Sequence, residues 1–302
     1  MTDTWPELPL AAWRDTCDTL HMWMQIVGKT RLALAPMENH WWQVVLYLTP
    51  RGLTTSPMPE GTRTFAVDFD FLDHQLIVRT SDGAVRTMAL APKTVADFYA
   101  EYREILRSLD LAVKIYPVPV EVARAIPFPK DREHKSYDAD YANRFWRVLA
   151  ESDRVLKRYR GQFIGKASPV HVFWGGLDLA ATRFSGRNAP RYSGTVPNCP
   201  LSVMIEGYSH ECASCGFWAG NDALPEPAYY AYAYPQPAGY GERKVEPAQA
   251  YYHSGLGEFI LPYSAVRTAA SPDDAILAFV QSTYNAAADL AKWDRKALER
   301  PA

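Results

Sequence analysis

The chain has 302 residues, of which 48% are hydrophobic, 13% aromatic and 22% charged, a composition typical of a folded globular protein and not of a disordered chain. Its 32 basic and 34 acidic residues leave a formal net charge of −2 without a basic run, which argues against nucleic acid or an anionic membrane as the main partner. Because it also lacks an apolar stretch of about 18 residues and a recognisable signal peptide, we expect a soluble cytoplasmic protein.

The first predicted element is an amphipathic helix. Apolar side chains recur at intervals of three and four residues over 13–27, with charged residues on the opposite side. We predict that this helix ends at Gly28, because a glycine commonly caps a helix in the left-handed conformation. Lys29 then either interacts with the helix dipole or marks an anion site, and the later pair Gly165-Lys166 has the same two interpretations.

Antiparallel strands and a second helix follow the first helix. A strand is predicted over 42–49, and strict alternation of apolar and polar residues over 64–71 predicts another. The alternation places Asp68 and Asp70 on the solvent face of that strand. Thr94 is predicted to cap the helix that closes this part of the chain.

A proline-rich and charged segment divides the sequence. Prolines and a charge run over 117–135 predict an extended linker between a first unit at 1–116 and a second at 136–302. The second unit again begins and ends with helical periodicity. Between its helices we predict strands, including one over 201–208, and an inserted loop region near 185–250.

The two halves share spaced markers that suggest an internal duplication. The same interval separates Trp42 from Trp174 and Arg51 from Arg183, so we expect the halves to superpose with these pairs aligned. Each unit has the order helix, antiparallel strands, helix. The predicted fold class is therefore α+β, with two pseudo-repeated units whose strands form one or two adjoining sheets covered by helices.

Six short strings distributed over the chain support a resemblance. They are LHMW at 20–23, RGLTT at 51–55, FDF at 69–71, PVHVFW at 169–174, YSHE at 208–211 and LGEF at 256–259. In these strings, and over essentially its whole length, the chain resembles an uncharacterised bacterial family described as a domain of unknown function. The resemblance implies a soluble bacterial protein and implies no reaction, ligand or catalytic residue.

Histidines and carboxylates in the second half are the first candidates for a site. His171, His210, Glu211 and His253, with Asp178, are residue types that bind zinc or iron or act as acid and base. Their spacing matches no metal motif, and neighbours on a strand point to opposite faces. Three interpretations stay open: a polar ligand pocket, a divalent metal site on the three histidines, and histidines that only tie loops to the sheet. The pocket interpretation predicts that the three histidines converge within about 10 Å.

Aromatic residues supply further pocket candidates. His21, Trp23, His40 and Trp174 are candidates for a ligand-binding surface, although tryptophan at helical or strand spacing also suits a core. The alternating tyrosines over 229–234 suit either sheet packing or a platform on which a planar ligand stacks.

The spacing of Cys212 and Cys215 suits a zinc or redox pair, or two ordinary thiols. No nucleotide-binding motif is present, so we expect neither ATP nor NAD as a cofactor, and a divalent metal is the one cofactor that stays open. Our leading hypothesis is a protein that binds a small polar or aromatic molecule in a pocket lined by histidines and aromatic residues. The alternatives are a metal-assisted or His/Glu acid–base hydrolase and a protein–protein interaction module.

Overall fold

A computed structural model describes residues 3–301 of the chain. Its helices are α1 Leu10–Leu34, α2 Val95–Ser108, α3 Ala139–Gly161, α4 Leu201–Gly207, α5 Tyr263–Arg267, α6 Pro272–Leu290 and α7 Arg295–Leu298. The strands of the first half are β1 Tyr47–Thr49, β2 Gly52–Thr54, β3 Met58–Glu60, β4 Arg63–Asp70, β5 Gln75–Thr80 and β6 Val85–Ala89. Those of the second half are β7 His171–Phe173, β8 Asp178–Asn188, β9 His210–Trp218, β10 Ala228–Tyr234, β11 Tyr251–His253 and β12 Glu258–Pro262.

The strands form two antiparallel sheets of six strands each. The first has the order β1-β2-β4-β5-β6, with β3 paired to β4, and the second has the order β11-β12-β10-β9-β8-β7. In each half a long helix precedes the strands and another helix follows them. The structure thus confirms the predicted α+β class, because the strands of both sheets pair antiparallel and all the helices but α4 lie before or after the strands of their half.

The two sheets adjoin at one point. The backbone N–H of Leu46 donates to the carbonyl of Val172 at 2.9 Å, and the N–H of Val172 donates back to Leu46 at 2.8 Å. These residues lie at β1 and β7, the edge strands with which the two sheets begin. The bridge fixes the first sheet against the second and covers part of an edge that would otherwise be open.

Helices cover one face of the second sheet. Helices α3 and α6 pack against β8, β9 and β10, and on this face the hydroxyl groups of Ser152 and Tyr229 lie 2.7 Å apart. Asp138 caps helix α3, where its carboxylate accepts from N–H groups of the first turn, and Ser271 caps α6, which has a proline in its first turn. Within residues 3–301 no helix is both long and apolar enough to cross a membrane.

Helix α1 does not end at Gly28, as the sequence predicted, but continues to Leu34. The glycine is needed for a different reason. A Cβ atom on Gly28 would overlap the indole ring of Trp174, which packs directly on the helix backbone. Close approach of another element is a normal use of glycine inside a helix, and the sequence could not distinguish this use from a cap.

Three further expectations about local structure were wrong. Residues 42–44 belong to a 3₁₀ helix (Asn39–Val44), so the strand begins only at Tyr47. Residues 201–208 form α4 with its C-terminal cap, because a short apolar alternation after a proline fits a helix as well as a strand. Asp70 is buried, where its carboxylate accepts from Arg51 and from two backbone N–H groups of the turn after β4.

The marker pairs of the suggested duplication do not occupy equivalent positions. Trp42 lies in a 3₁₀ helix before β1, whereas Trp174 follows β7. Arg51 is exposed in the turn between β1 and β2, whereas Arg183 is buried within β8. The expected pairing of these residues is therefore wrong, because equal spacing in sequence does not keep register when loop lengths differ. The shared order of elements leaves the duplication itself as a prediction.

Substitution of Gly28 by alanine is expected to destabilise the protein, although alanine is normally the better helix former by about 1 kcal/mol. Because the Trp174 ring leaves no space for the added methyl group, the free energy of unfolding should fall by about 1–3 kcal/mol. Urea unfolding followed by circular dichroism measures this change. The matched control is Gly161→Ala at the end of α3, where an added Cβ meets no atom. An equal effect of the two substitutions would contradict the packing argument.

Candidate functional site

A cavity of about 570 Å³ lies against the second sheet. Its floor is the sheet face opposite α3 and α6, because strand residues that point to one face alternate with those that point to the other. Strands β8, β9 and β10 supply the floor residues, which are Asp178, Ala180, Thr182, Phe184, Cys212, Ser214, Tyr230 and Tyr232. Strand pairing keeps them in rows, with Ser214 opposite both Thr182 and Tyr232.

Segments from both halves of the chain form the roof. They are the last turns of α1, the 3₁₀ helix after it, residues 116–121 and residues 198–208. Residue Gln25 of α1 anchors the third segment, since its side chain both donates to and accepts from the backbone of Val120 at 2.8 Å. A hydrogen bond of 2.9 Å from the N–H of Glu121 to the carbonyl of Pro197 joins residues 116–121 to the residue directly before the segment 198–208.

His40 and Lys166 form a hydrogen-bonded pair at one end of the cavity. Nδ1 of His40 lies 2.9 Å from the carbonyl oxygen of Gly207, so this nitrogen carries the proton and donates. Nε2 is then free to accept from the ammonium of Lys166 at 2.7 Å. Burial lowers the pKa of His40, which agrees with a neutral ring in this arrangement. The ammonium also lies 5.1 Å from the ring centroid of Phe184, where a cation–π attraction is favourable.

The backbone around His40 is strained. His40 and Trp41 both have positive φ angles, 57° and 63°, in a region that few residues other than glycine occupy. Helix α4 holds them there: Glu206 accepts from the N–H of His40 at 3.1 Å, and the carbonyl of Val203 accepts from the Trp41 indole at 2.9 Å. Backbone strain of this kind persists only where surrounding contacts impose it and is common at functional sites.

Carboxyl groups occupy another part of the cavity wall. The hydroxyl of Tyr230 donates to Asp178, and burial nevertheless raises the pKa of Asp178 to about 6. The carboxylate of Glu121 lies against Gly175, where any Cβ would overlap it. Although Glu121 is exposed over much of its surface, the burial of its carboxylate and the nearby charge of Asp178 raise its pKa to about 7. Two carboxyl groups that titrate near neutrality therefore line one cavity.

Lys29 presents its ammonium between two aromatic rings of the wall. Its Nζ lies 5.8 Å from the ring centroid of Trp174 and 5.9 Å from that of Tyr116. Burial lowers the pKa of Lys29. The thiol of Cys199 lies close enough to be affected by both Lys29 and Glu121, and burial is the main cause that raises its pKa to about 11.

Of the candidates from the sequence, His40, Trp174 and Asp178 line the cavity. His21 lies behind the wall: its Nε2 is 3.0 Å from the carbonyl oxygen of Trp174 and 2.8 Å from that of Gly175. Because burial lowers the pKa of His21 to about 4, the ring is neutral and fixes this turn against α1.

Other candidates lie elsewhere. Trp23 is fully buried in the core, stacked on Phe98 with ring centroids 4.7 Å apart. Glu211 forms an ion pair with Arg187 at 2.6 Å. The ring of His210 is 5.5 Å from that of His40 but is not among the residues that line the cavity.

The three histidines proposed to converge are far apart. His171 is opposite Ala180 and His210 is opposite Asn188 on the same strand, β8, which separates them by roughly 20 Å or more along the strand. His253 lies on β11, five strands away from His171, or about 24 Å across the sheet. Sequence order could not reveal this, because the distance depends on strand register and sheet order.

These positions do not form a metal site. In residues 3–301 no three side chains of His, Cys, Asp or Glu are grouped so that they could hold a metal ion. His171 is fully buried, its ring nitrogens lack partners, and burial lowers its pKa to about 3. Cys212 and Cys215 are three positions apart on β9 and so point to opposite faces, and burial raises the pKa of each to about 12. They are two separate thiols.

The comparisons with known proteins agree with the resemblance seen in the sequence. A family model described as a family of unknown function (DUF5996) matches residues 5–300. The chain belongs to this family. No curated protein and no solved structure matches the chain. The range matched by the DUF5996 family model includes all the residues that line the cavity. The family description assigns no chemistry to them.

The sequence did not identify several cavity residues in this DUF5996 protein. Glu121 lies in the segment predicted as an extended linker and Tyr116 lies directly before it, yet the run of apolar residues over 115–120 was a signal of burial. Lys29 was considered as an anion site only through its neighbour Gly28. Cys199 had no sequence signal, since its environment depends on contacts between distant segments.

Replacement of Asp178 by asparagine is expected to change the pH dependence of stability. The folded-state pKa of about 6 lies above the ordinary aspartate pKa of 3.8, so the carboxyl group stabilises the folded state below its unfolded pKa. That contribution is lost as pH rises through about 6. Between about pH 4 and pH 7.5, the stability of Asp178→Asn relative to wild type should rise by up to about 3 kcal/mol.

Chemical denaturation at several pH values measures this difference. Asp15→Asn, at an exposed position of α1, removes the same charge and serves as the control. If the two variants show the same pH dependence, the buried carboxyl is not the cause.

Proposed function

We propose that this protein binds a small planar organic molecule in the cavity on the second sheet. The observation that carries the proposal is a cavity of about 570 Å³ with aromatic rings in both floor and roof. Its volume is within the range of about 300–1,000 Å³ that is usual for sites that enclose small ligands. The aromatic residues of the wall are Trp41, Trp42, Tyr116, Phe173, Trp174, Phe184, Tyr208, Tyr230 and Tyr232.

The arrangement of the tyrosines supports a planar ligand. Tyr230 and Tyr232 are stacked with an interplanar angle of 15° and centroids 6.1 Å apart. The hydroxyl of Tyr208 donates to that of Tyr232 at 3.0 Å, which orients the ring beside them. Flat side chains of fixed orientation favour a flat partner, since stacked and edge-to-face contacts both depend on ring geometry.

Exposed apolar residues at the edge of the cavity support the proposal that a ligand enters from solvent. Among the cavity residues, Leu32 is 40% exposed and Tyr116 is 74% exposed, so large apolar side chains reach the protein surface at this place. Exposed apolar groups around a concave site are a common feature of ligand entrances. The concave shape favours a small molecule over the partner chain of an interaction module. A bacterial and cytoplasmic location, predicted from composition and resemblance, remains part of this proposal.

A substitution that fills the cavity is expected to abolish binding. Thr182 lies in the floor between Ala180 and Phe184, so Thr182→Phe should place a ring inside the cavity. We expect wild-type protein to bind anthracene-2-carboxylate or anthracene-2-carboxamide, and the variant to bind either probe at least about tenfold more weakly. Fluorescence titration, with the probe excited at wavelengths longer than those that tryptophan absorbs, measures the Kd of each probe for wild type and for the variant.

The matched control is Thr87→Phe on an exposed position of β6 in the other sheet. It adds the same ring away from the cavity and should leave binding unchanged. Absence of binding of both probes to folded wild-type protein would refute the proposed function, and equal binding by both variants would place the probes elsewhere.

A second candidate function is acid–base hydrolysis. It is favoured by one observation, the presence of Asp178 and Glu121 on the same wall with pKa values raised to about 6 and about 7. A pair with such values can contain one protonated and one ionised carboxyl near neutral pH, as acid–base catalysis requires. The hydrolase alternative from the sequence used His171, His210 and His253, which are too far apart to act together.

Hydrolysis of 4-nitrophenyl esters and glycosides tests this second function. Activity that falls about 100-fold or more in both Glu121→Gln and Asp178→Asn, with unchanged folding, would favour it. Activity that is absent in wild type, or unaffected by both substitutions, would leave ligand binding as the function of the cavity.

A further inference from the structure

Lys29 is a buried cation whose contacts among residues 3–301 are aromatic rings, without a hydrogen-bond acceptor or a carboxylate. The residue is 4% exposed and lies one residue after Gly28, where α1 passes closest to Trp174. Its ammonium lines the cavity between the Trp174 and Tyr116 rings. Within residues 3–301 it forms no hydrogen bond and no ion pair with a carboxylate. A buried charge without such partners is unfavourable, because the low-polarity surroundings do not replace its hydration.

The two buried arginines among residues 3–301 differ from Lys29 in that each donates to a backbone carbonyl. Arg31 donates to the carbonyl oxygens of Gln43 and Thr55. Arg183 donates to the carbonyl of Tyr159 and lies over its ring, with the guanidinium carbon 3.5 Å from the centroid. Neither lines the cavity. Lys29 thus differs in two respects: it lacks an acceptor, and its charged group points into the space that a ligand would occupy.

The surroundings of Lys29 favour an anion with a single charge. Asp178 and Glu121 lie on the same cavity wall and would repel a doubly charged phosphate when they are ionised. Phosphate sites usually offer several backbone N–H groups or a helix N-terminus, whereas Lys29 lies near the C-terminal end of α1. A carboxylate needs only one strong cationic donor to be held in a site of low polarity.

We propose that the ligand of this cavity is an aromatic monocarboxylate whose carboxylate forms an ion pair with the ammonium of Lys29. The inference rests on the proposed function and adds the chemical class of the ligand. Trp174 and Tyr116 beside the ammonium contact the ring system next to the carboxylate, and the tyrosines of the floor contact the rest of the planar body. The anion supplies the acceptor that Lys29 lacks, and the lysine carries its proton in the complex.

Two isosteric probes test the inference. Anthracene-2-carboxylate and anthracene-2-carboxamide have the same shape and differ in charge, so the ratio of their Kd values measures the contribution of the anion. We expect wild-type protein to bind the carboxylate at least about tenfold more tightly. In Lys29→Met the carboxylate should lose that advantage, while the amide should bind as it does to wild type. In Lys29→Arg a preference for the carboxylate should remain.

The variants are chosen so that folding and binding can be separated. Methionine fills a volume similar to that of the lysine stem and removes a buried charge, so Lys29→Met should fold and be at least as stable as wild type. Thermal unfolding checks this, and the comparison of the two probes in wild-type protein needs no variant.

The preference for the carboxylate over the amide, in wild type and in Lys29→Met, decides the inference. A preference for the carboxylate that disappears in Lys29→Met supports it. Equal binding of both probes by wild type, or a preference for the carboxylate that survives in Lys29→Met, overturns it while leaving the proposed function intact. Failure of wild type to bind either probe overturns both proposals.

Discussion

The contact between Trp174 and Gly28 connects the parts of the molecule on which the cavity depends. Trp174 follows the edge strand of the second sheet, and its indole packs on the bare backbone of α1 from the first half. Its Nε1 donates to the carbonyl of Val44 at 2.7 Å, which also ties the 3₁₀ helix to this place. One side chain therefore sets the position of the roof relative to the floor. Because the helix can approach this closely only at a glycine, the geometry tolerates little change.

The same arrangement controls the charges of the cavity. Helix α1 presents Lys29 next to Trp174, and the turn after β7 presents Gly175, against which Glu121 lies. Burial lowers the pKa of the lysine and raises the pKa values of Glu121 and Asp178. Each shift favours the neutral form of its group, as expected where protein replaces water around an ionisable side chain. In the complex that we propose, a charged ligand supplies the partner that Lys29 lacks.

The elements with strong local patterns were predictable from the sequence. Alternation over 64–71 predicted β4 within one residue, and the Thr94 cap predicted the start of α2. Antiparallel strands joined by short connections in each half predicted the α+β class. Weaker patterns failed: the apolar residues of 201–208 form a helix, since a short segment has few positions from which to distinguish one periodicity from another.

The sequence by itself determined the fold class, the main helices and strands, and the presence of aromatic and histidine residues suited to a pocket. It also identified His40, Trp174 and Asp178, which line the cavity. Only the tertiary structure decided that His171, His210 and His253 are separated, because strand register and sheet order set distances between residues remote in sequence. It likewise decided that Lys29 and Glu121, from a helix and a predicted linker, share one wall with Asp178. Their altered pKa values follow from burial, which is a property of the folded chain and not of any local sequence pattern.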